Sequence, residues 1–174
     1  MSGSSGRKIG RLAFYASAVV VFVLDQVTKT FAQSALDMGR VVEVVPGFFT
    51  LKLAHNPGAA FGTFGSLPVV LILIGLVAVF IIAGIRKERA KSRVLALSLG
   101  MLLGGTLGNL IDRIRFQSVT DFIDFEVVLG SRILSWPTFN VADIAITVGA
   151  VLLAYHVVFL EGRASKPKNS SNNS

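Results

Sequence analysis

Four apolar stretches, residues 12–31, 68–85, 94–111 and 141–160, dominate the chain. Each approaches the roughly 20 residues that a helix needs to cross the hydrocarbon core of a bilayer. No other feature narrows the fold as much, because in lipid a segment must satisfy its own backbone N–H and C=O groups and a helix does so. The expected fold is an all-α membrane protein: four transmembrane helices, with a small extracytoplasmic β-sheet and a surface-lying outer loop. Composition agrees, since 52% hydrophobic and 16% charged residues in a chain of 174 is too apolar for an ordinary soluble domain. A cleavable signal peptide is the competing reading of the first stretch, which follows Arg7 and Lys8 and precedes small residues. Three further spans favour a retained helix.

The net charge of +7 does not mark a nucleic-acid binder, because the basic residues alternate between loops. Arg7, Lys8 and Arg11 precede the first stretch, Arg86 to Arg93 separate the second from the third, and Arg163, Lys166 and Lys168 follow the fourth. Lys and Arg accumulate on the cytoplasmic side, so both termini and the middle loop are expected inside. Residues 1–11 read as a cytoplasmic tail, 12–163 as the membrane domain and 164–174 as a polar cytoplasmic tail; residues 1–6 look like linker. With no cysteine, thiolate nucleophiles, disulfides and sulfur-ligated metals are excluded.

The outer connections carry their own signals. Val41-Val-Glu-Val-Val45, Pro46-Gly47 and Phe48-Phe-Thr-Leu-Lys-Leu53 read as two short strands around a turn. The loop from Arg115 to Pro137 mixes Phe, Val, Ile and Trp136 with Asp121, Asp124 and Glu126, which suits a segment lying at the membrane surface. On the third stretch Gly100, Gly104 and Gly108 recur every fourth residue, leaving a face without side chains that lets a neighbouring helix approach.

Acids at the ends of such segments call for a reason, since an ionised Asp within a span costs roughly 3 kcal/mol and is normally paired or facing a cavity. Asp25 and Lys29 are spaced for an i,i+4 ion pair. Asn109 and Asp112, three apart, share a helical face. Asn56 before Pro57-Gly58 has a turn reading alongside a site-lining one. Asn140 and Asp143 suit an N-cap and a first-turn acid, but capping does not explain why Asp112, Asp121 and Asp124 gather on the same side of the membrane. Two facing carboxylates titrate as a unit, one keeping a proton while the other stays charged, and such a pair can hydrolyse an amide. Spacing leaves the partner of Asp143 open among Asp112, Asp121 and Asp124. The two histidines, His55 and His156, lie at opposite ends of the bundle and do not suggest a metal site; no cofactor is expected. A proton relay or small transporter would spread its acids through the membrane depth, and a noncatalytic assembly factor would need no paired acids.

At these positions the chain resembles the lipoprotein signal peptidases (signal peptidase II), aspartyl proteases of bacterial membranes. The resemblance rests on Asp25-Gln-Val-Thr-Lys29, Asn56-Pro-Gly-Ala-Ala-Phe61, Gly105-Thr-Leu-Gly-Asn-Leu-Ile-Asp-Arg113, Val119-Thr-Asp-Phe122 and Phe139-Asn-Val-Ala-Asp143, in this order. It implies that Asp121 and Asp143 are the catalytic dyad and that Asp25, Lys29, Asn56, Asn109, Asp112, Arg113 and Asn140 bind substrate or support the site. It further implies a prolipoprotein substrate whose cysteine already bears diacylglycerol, cut before that cysteine at the extracytoplasmic face of the bacterial inner membrane. Membrane lipid and globomycin-like cyclic peptide inhibitors are the other expected partners, nucleic acid is not, and a monomer is expected. A lipid-anchored peptide would arrive laterally from the bilayer.

Overall fold

The computed structural model describes residues 2–58, 67–89, 92–130 and 132–161. The last part of the Asn56 motif, Ala59-Ala-Phe61, and the basic positions Lys91, Arg163, Lys166 and Lys168 lie outside the described residues. Four helices form from the four apolar stretches: α1 (Ser2–Ala35), α2 (Leu67–Arg89), α3 (Arg93–Phe116) and α4 (Val141–Tyr155), the last continued by a π-helical turn, His156–Glu161. The α1 helix already runs from Ser2, ten residues ahead of the apolar stretch and through Gly3, Gly6 and Gly10. Three segments, Lys8–Ala35, Arg93–Phe116 and Val141–Leu160, are long and apolar enough to span a bilayer, and Val69–Ile85 forms a shorter apolar helix.

Large apolar side chains point outward from α1, α2 and α4, among them Leu12, Val23, Phe31, Leu73, Phe80 and Val151. That arrangement suits lipid as the solvent. Helix α3 is the central element, packed against α1, α2 and α4. Its glycines explain why. A Cβ on Gly100 would meet Ser17 and the Phe14 carbonyl, one on Gly104 would meet the Ala18 carbonyl, and one on Gly108 would meet the Asp25 carboxylate. Gly105, one position round the helix, faces the Ala142 carbonyl and Ile146 of α4. The expected glycine face is therefore the α1 contact, and it brings the backbone of α3 onto the acid of α1. Away from the sheet, Phe14, Ile82, Leu95, Ala96 and Leu99 form a buried apolar cluster.

The outer connections form one antiparallel sheet in the order β1 (Val41–Val45), β2 (Phe49–Asn56), β3 (Val119–Leu129), β4 (Arg132–Ser135). The first two strands match the expectation. The segment from Arg115 to Pro137, expected to lie on the membrane surface, adds a hairpin to that sheet, with Val127 paired to Leu134 and Leu129 to Arg132. The physical reason is that β2 would otherwise leave one edge of backbone donors and acceptors unpaired, and β3 satisfies it from Phe49↔Phe125 to Asn56↔Val119. The segment entering α4 is also tied to β3: Ile123 and Phe139 exchange N–H···O bonds of 2.9 and 3.0 Å. Ala32, Leu36 and Phe122 form a second buried cluster where α1 meets this sheet.

Candidate active site

The carboxylates converge where α1, α3 and α4 meet β3, and four local features place them there. On α1, Asp25 and Lys29 lie one turn apart and form a 2.9 Å ion pair. On α3, Asn109 and Asp112 occupy the face that meets Lys29: its Nζ donates to Asn109 Oδ1 at 2.9 Å and pairs with Asp112 Oδ2 at 3.1 Å. Asp25, Lys29 and Asp112 are each no more than 2% exposed, so the triad is removed from water and each charge depends on the others.

Both flanking acids also bind backbone. Asp25 Oδ1 accepts the Ala142 N–H at 2.9 Å, one of the first-turn amides of α4 that no intrahelical carbonyl can reach. Asp112 Oδ2 accepts the Thr120 N–H at 3.0 Å. The buried triad thus grips the chain one residue before Asp143 and one residue before Asp121.

Asn140 caps α4. Its Oδ1 accepts the Asp143 N–H at 3.0 Å and the Asp143 carboxylate returns to the Asn140 N–H at 3.4 Å, a reciprocal capping box. The capping expectation is therefore correct, and the same side chain does more. Because Phe139 is zipped to Ile123, Asn140 falls beside Asp121, and its Nδ2 donates to Asp121 Oδ1 at 2.6 Å and to Asn109 Oδ1 at 3.2 Å. Asn109 completes the circuit, its Nδ2 donating to Asp143 Oδ1 at 2.8 Å. One carboxamide from α3 and one from the α4 cap therefore connect Asp121, on β3, with Asp143, on α4.

Asn56, at the end of β2, donates through Nδ2 to Asp121 Oδ2 at 3.0 Å, while its Oδ1 accepts the Gly58 N–H at 2.9 Å. The turn reading of Asn56 holds, and the same side chain also meets Asp121. Burial pushes the Asp121 carboxyl up to about 6; the Asn56 donor opposes this, the nearby Asp143 charge adds to it, and Asn140 and Lys29 oppose it. A carboxyl that takes up protons near neutrality beside a second carboxylate has the property required of a shared-proton pair.

The other acids separate from this pair by their partners. Asp112 is committed to Lys29 and the Thr120 amide. Asp124, three residues beyond Asp121, is buried among Lys52 (2.9 Å), Thr50 (3.1 Å) and Thr138 (3.2 Å), where it ties β2 and the α4 approach to β3. Arg113 reaches back to the Asn109 carbonyl at 3.5 Å and is close enough to Asp143, Asp121 and Asp112 to interact with their charges; its Nε is buried without a hydrogen-bond partner among the described residues. His55 lies exposed on β2, and His156 is buried at the far end of α4 beside Ser92.

Two participants escape a reading by acidic residues alone. Gln26 donates to Asp25, to the Gly108 carbonyl and to Asp112, and Gln33 donates to the Thr120 hydroxyl at 2.8 Å. Gln33 had a signal: Asp25, Lys29 and Gln33 follow one another at spacing four, a polar stripe on an apolar helix.

Comparison with known proteins points to one family. The family described as signal peptidase (SPase) II matches residues 17–159. A lipoprotein signal peptidase of Desulforapulum autotrophicum is 42% identical over 148 residues, covering 82% of this chain and 89% of that protein. One from Pelotomaculum thermopropionicum is 42% identical over 151 residues, covering 84% and 92%. A bacterial membrane enzyme solved by the in meso method at 1.9 Å resolution superposes with a TM-score of 0.75 at 28% identity, covering 83% of this chain and 91% of that one. On the extent of these matches, the chain belongs to the signal peptidase II family.

Proposed function

We propose that this chain is an intramembrane aspartyl endopeptidase that removes the signal peptide from diacylglyceryl-modified prolipoproteins, cutting before the lipidated cysteine. The observation that carries the reading is the pair Asp121 and Asp143, joined through the carboxamides of Asn140 and Asn109 at the sheet end of a bundle otherwise built for lipid. In this mechanism Asp143 is the ionised member, accepting N–H bonds from Asn109 and Asn140, and Asp121 holds the shared proton, in keeping with a carboxyl pushed up to about 6. Asp143 takes a proton from water, the water oxygen attacks the scissile carbonyl carbon, and Asp121 donates its proton to the developing oxyanion. When the tetrahedral intermediate collapses, Asp143 returns its proton to the departing amine and Asp121 recovers its own.

The remaining residues act on this pair. Asp25, Lys29 and Asp112 hold the backbone beside each aspartate and fix Asn109; Asn56 sets the proton affinity of Asp121; Asn140 fixes the distance between the two acids; Arg113 offers its guanidinium to substrate oxygens. The Lys and Arg distribution supports an orientation in which the termini are cytoplasmic and the sheet end faces outward from the bacterial inner membrane. The working unit is residues 12–163 as a monomer, with tails at 1–11 and 164–174. Globomycin-like cyclic peptides would inhibit by occupying the dyad.

The test is cleavage of a diacylglyceryl prolipoprotein in detergent by Asp121→Asn and by Asp143→Asn, each of which keeps side-chain size while removing the titratable group. Both variants should fold and show no turnover. Cleavage retained by either one would exclude that residue from the dyad, and an Asp143→Asn protein that lost only some thermal stability would reduce its role to capping.

A further inference from the structure

Asp25, Lys29 and Gln33 follow one another at single turns along one face of α1. The first two enter the buried triad, and the third stands apart from it. Gln33 is exposed, yet its Nε2 donates at 2.8 Å to the hydroxyl of Thr120, a residue with no exposed surface. Thr120 directly precedes Asp121, and each of its polar groups is engaged by a different helix. Its N–H donates to Asp112 on α3 at 3.0 Å, its carbonyl accepts Nδ2 of Asn140, the cap of α4, at 3.3 Å, and its hydroxyl accepts Gln33 of α1. Strand pairing alone does not fix this point of β3. Leu51 lies opposite Ile123 and Ala54 opposite Asp121, so β2 advances three residues while β3 advances two, and the register slips beside Asp121. Extra residues on one strand interrupt the ladder and bend it. Side-chain tethers therefore decide where the backbone of Asp121 lies.

We infer that Gln33 is a positioning residue for Asp121: by holding the Thr120 hydroxyl it sets the backbone from which the Asp121 carboxylate reaches Asn140 and Asn56. The inference rests on the dyad reading above and goes beyond it by giving α1 a hold on Asp121 that is separate from the Asp25, Lys29 and Asp112 triad. Neighbouring residues of a strand point to opposite faces, so Gln33 meets Thr120 and acts on Asp121 through the backbone. On the Gln33 side folding gains little from the bond, because an exposed carboxamide trades water for protein at small net benefit. The Thr120 hydroxyl has no such alternative, since a hydroxyl removed from water needs a partner. The bond is therefore kept, and what it supplies is placement. Gln33 also carries no charge. The charged groups around Asp121 are Asp143 of α4, Lys29 of α1 and Arg113 of α3, with Asp112 and His55 beside Thr120. None of them changes when Gln33 is replaced, so an altered proton affinity at Asp121 reports its position.

The experiment measures cleavage of a diacylglyceryl prolipoprotein in detergent by wild type, Gln33→Leu, Thr120→Val, the double variant and Thr120→Ser. Gln33→Leu and Thr120→Val should each lower kcat about tenfold, a part of the roughly hundredfold that a displacement of about 1 Å can cost, with KM within about twofold of wild type. The double variant should be no slower than the single ones, because both substitutions remove the same bond. Thr120→Ser keeps the hydroxyl and should keep most of kcat. In Gln33→Leu the alkaline limb near 6 should move up by roughly a few tenths of a pH unit, because the Asn56 and Asn140 donors that favour the ionised carboxyl are then less well aligned. A Gln33→Leu protein with a lower Tm but unchanged kcat and limb overturns the inference. Losses that multiply in the double variant overturn it too, as does a Thr120→Ser protein as slow as Thr120→Val. Should Thr120→Val fail to fold, Gln33→Leu decides through kcat and through the Asp121 carboxyl titration by carbon NMR, whose midpoint should rise; an unmoved midpoint overturns the inference. A wild type that cleaves no lipopeptide removes the proposed function and the inference with it, whereas a wild type that cleaves beside an unimpaired Gln33→Leu overturns the inference alone.

Discussion

Replacing Lys29 by Met removes the only cation within ion-pair distance of two buried carboxylates, among the described residues, and its cost follows from the geometry. The contacts of 2.9 Å to Asp25 and 3.1 Å to Asp112 each represent about 5–6 kcal/mol of attraction at an effective dielectric of 20. Most of that is offset by taking three charges out of water. Removal of one partner from such a cluster nevertheless costs roughly 3–5 kcal/mol, because the uncompensated charges stay buried. For a chain of this size roughly 1 kcal/mol moves Tm by 2–4 °C, so Lys29→Met should melt on the order of 10 °C below wild type in detergent. Neutralising the cluster as a whole should cost less: in Asp25→Asn/Lys29→Met/Asp112→Asn the amides keep hydrogen-bonding capacity and no bare charge remains, so much of the loss should return. Thermal unfolding of the single and triple variants, followed by circular dichroism at fixed detergent and pH, reads both numbers. A Lys29→Met protein within a degree or two of wild type, or a triple variant less stable than the single one, would refute the reasoning. Peptidase activity should be lost in both variants, since Asn109 loses the ammonium that fixes its Oδ1.

Two further outcomes follow from single contacts. Asn56 is the strongest influence holding the Asp121 carboxyl down; removing a donor to the ionised form favours the protonated one, so in Asn56→Ala the alkaline limb of kcat/KM against pH, near 6 in wild type, should move up by roughly half to one pH unit. No movement, or movement downward, would separate that limb from Asp121. Gly104→Val would drive a Cβ against the Ala18 carbonyl and should cost about 3 kcal/mol or more in thermal stability. Gly84→Ala, whose Cβ meets nothing within 4 Å, should leave Tm unchanged or slightly raised.

The membrane helices were legible because length and apolarity suffice to define them, and the α3 glycines because spacing four defines a face. The β3 strand was not. Residues 119–122 and 124 are all buried, and Asp121 and Asp124 interrupt the apolar residues, so the alternation that marks a half-buried strand is absent. The demands of the site erased the sequence signature of the element that carries it. Within the site, the Asp25–Lys29 pair could be read from one turn of helix. The contacts from Lys29 to Asn109 and Asp112 join residues some 80 positions apart, beyond any local pattern. The roles of Asp121 and Asp124 differ through their partners: two carboxamides for the first, and Lys52 with two threonines for the second.

The claim on which the account depends is that Asp121 and Asp143 share one proton, and titration of Asp121 by carbon NMR, in protein labelled at the aspartate carboxyl carbon, tests it most directly. The Asp121 resonance, assigned by its loss in Asp121→Asn, should titrate near 6. In Asp143→Asn its midpoint should fall, because a neighbouring charge is gone, yet stay above the ordinary value of 3.8 because burial is the larger cause. A midpoint at that ordinary value, unmoved by Asp143→Asn, would contradict the account.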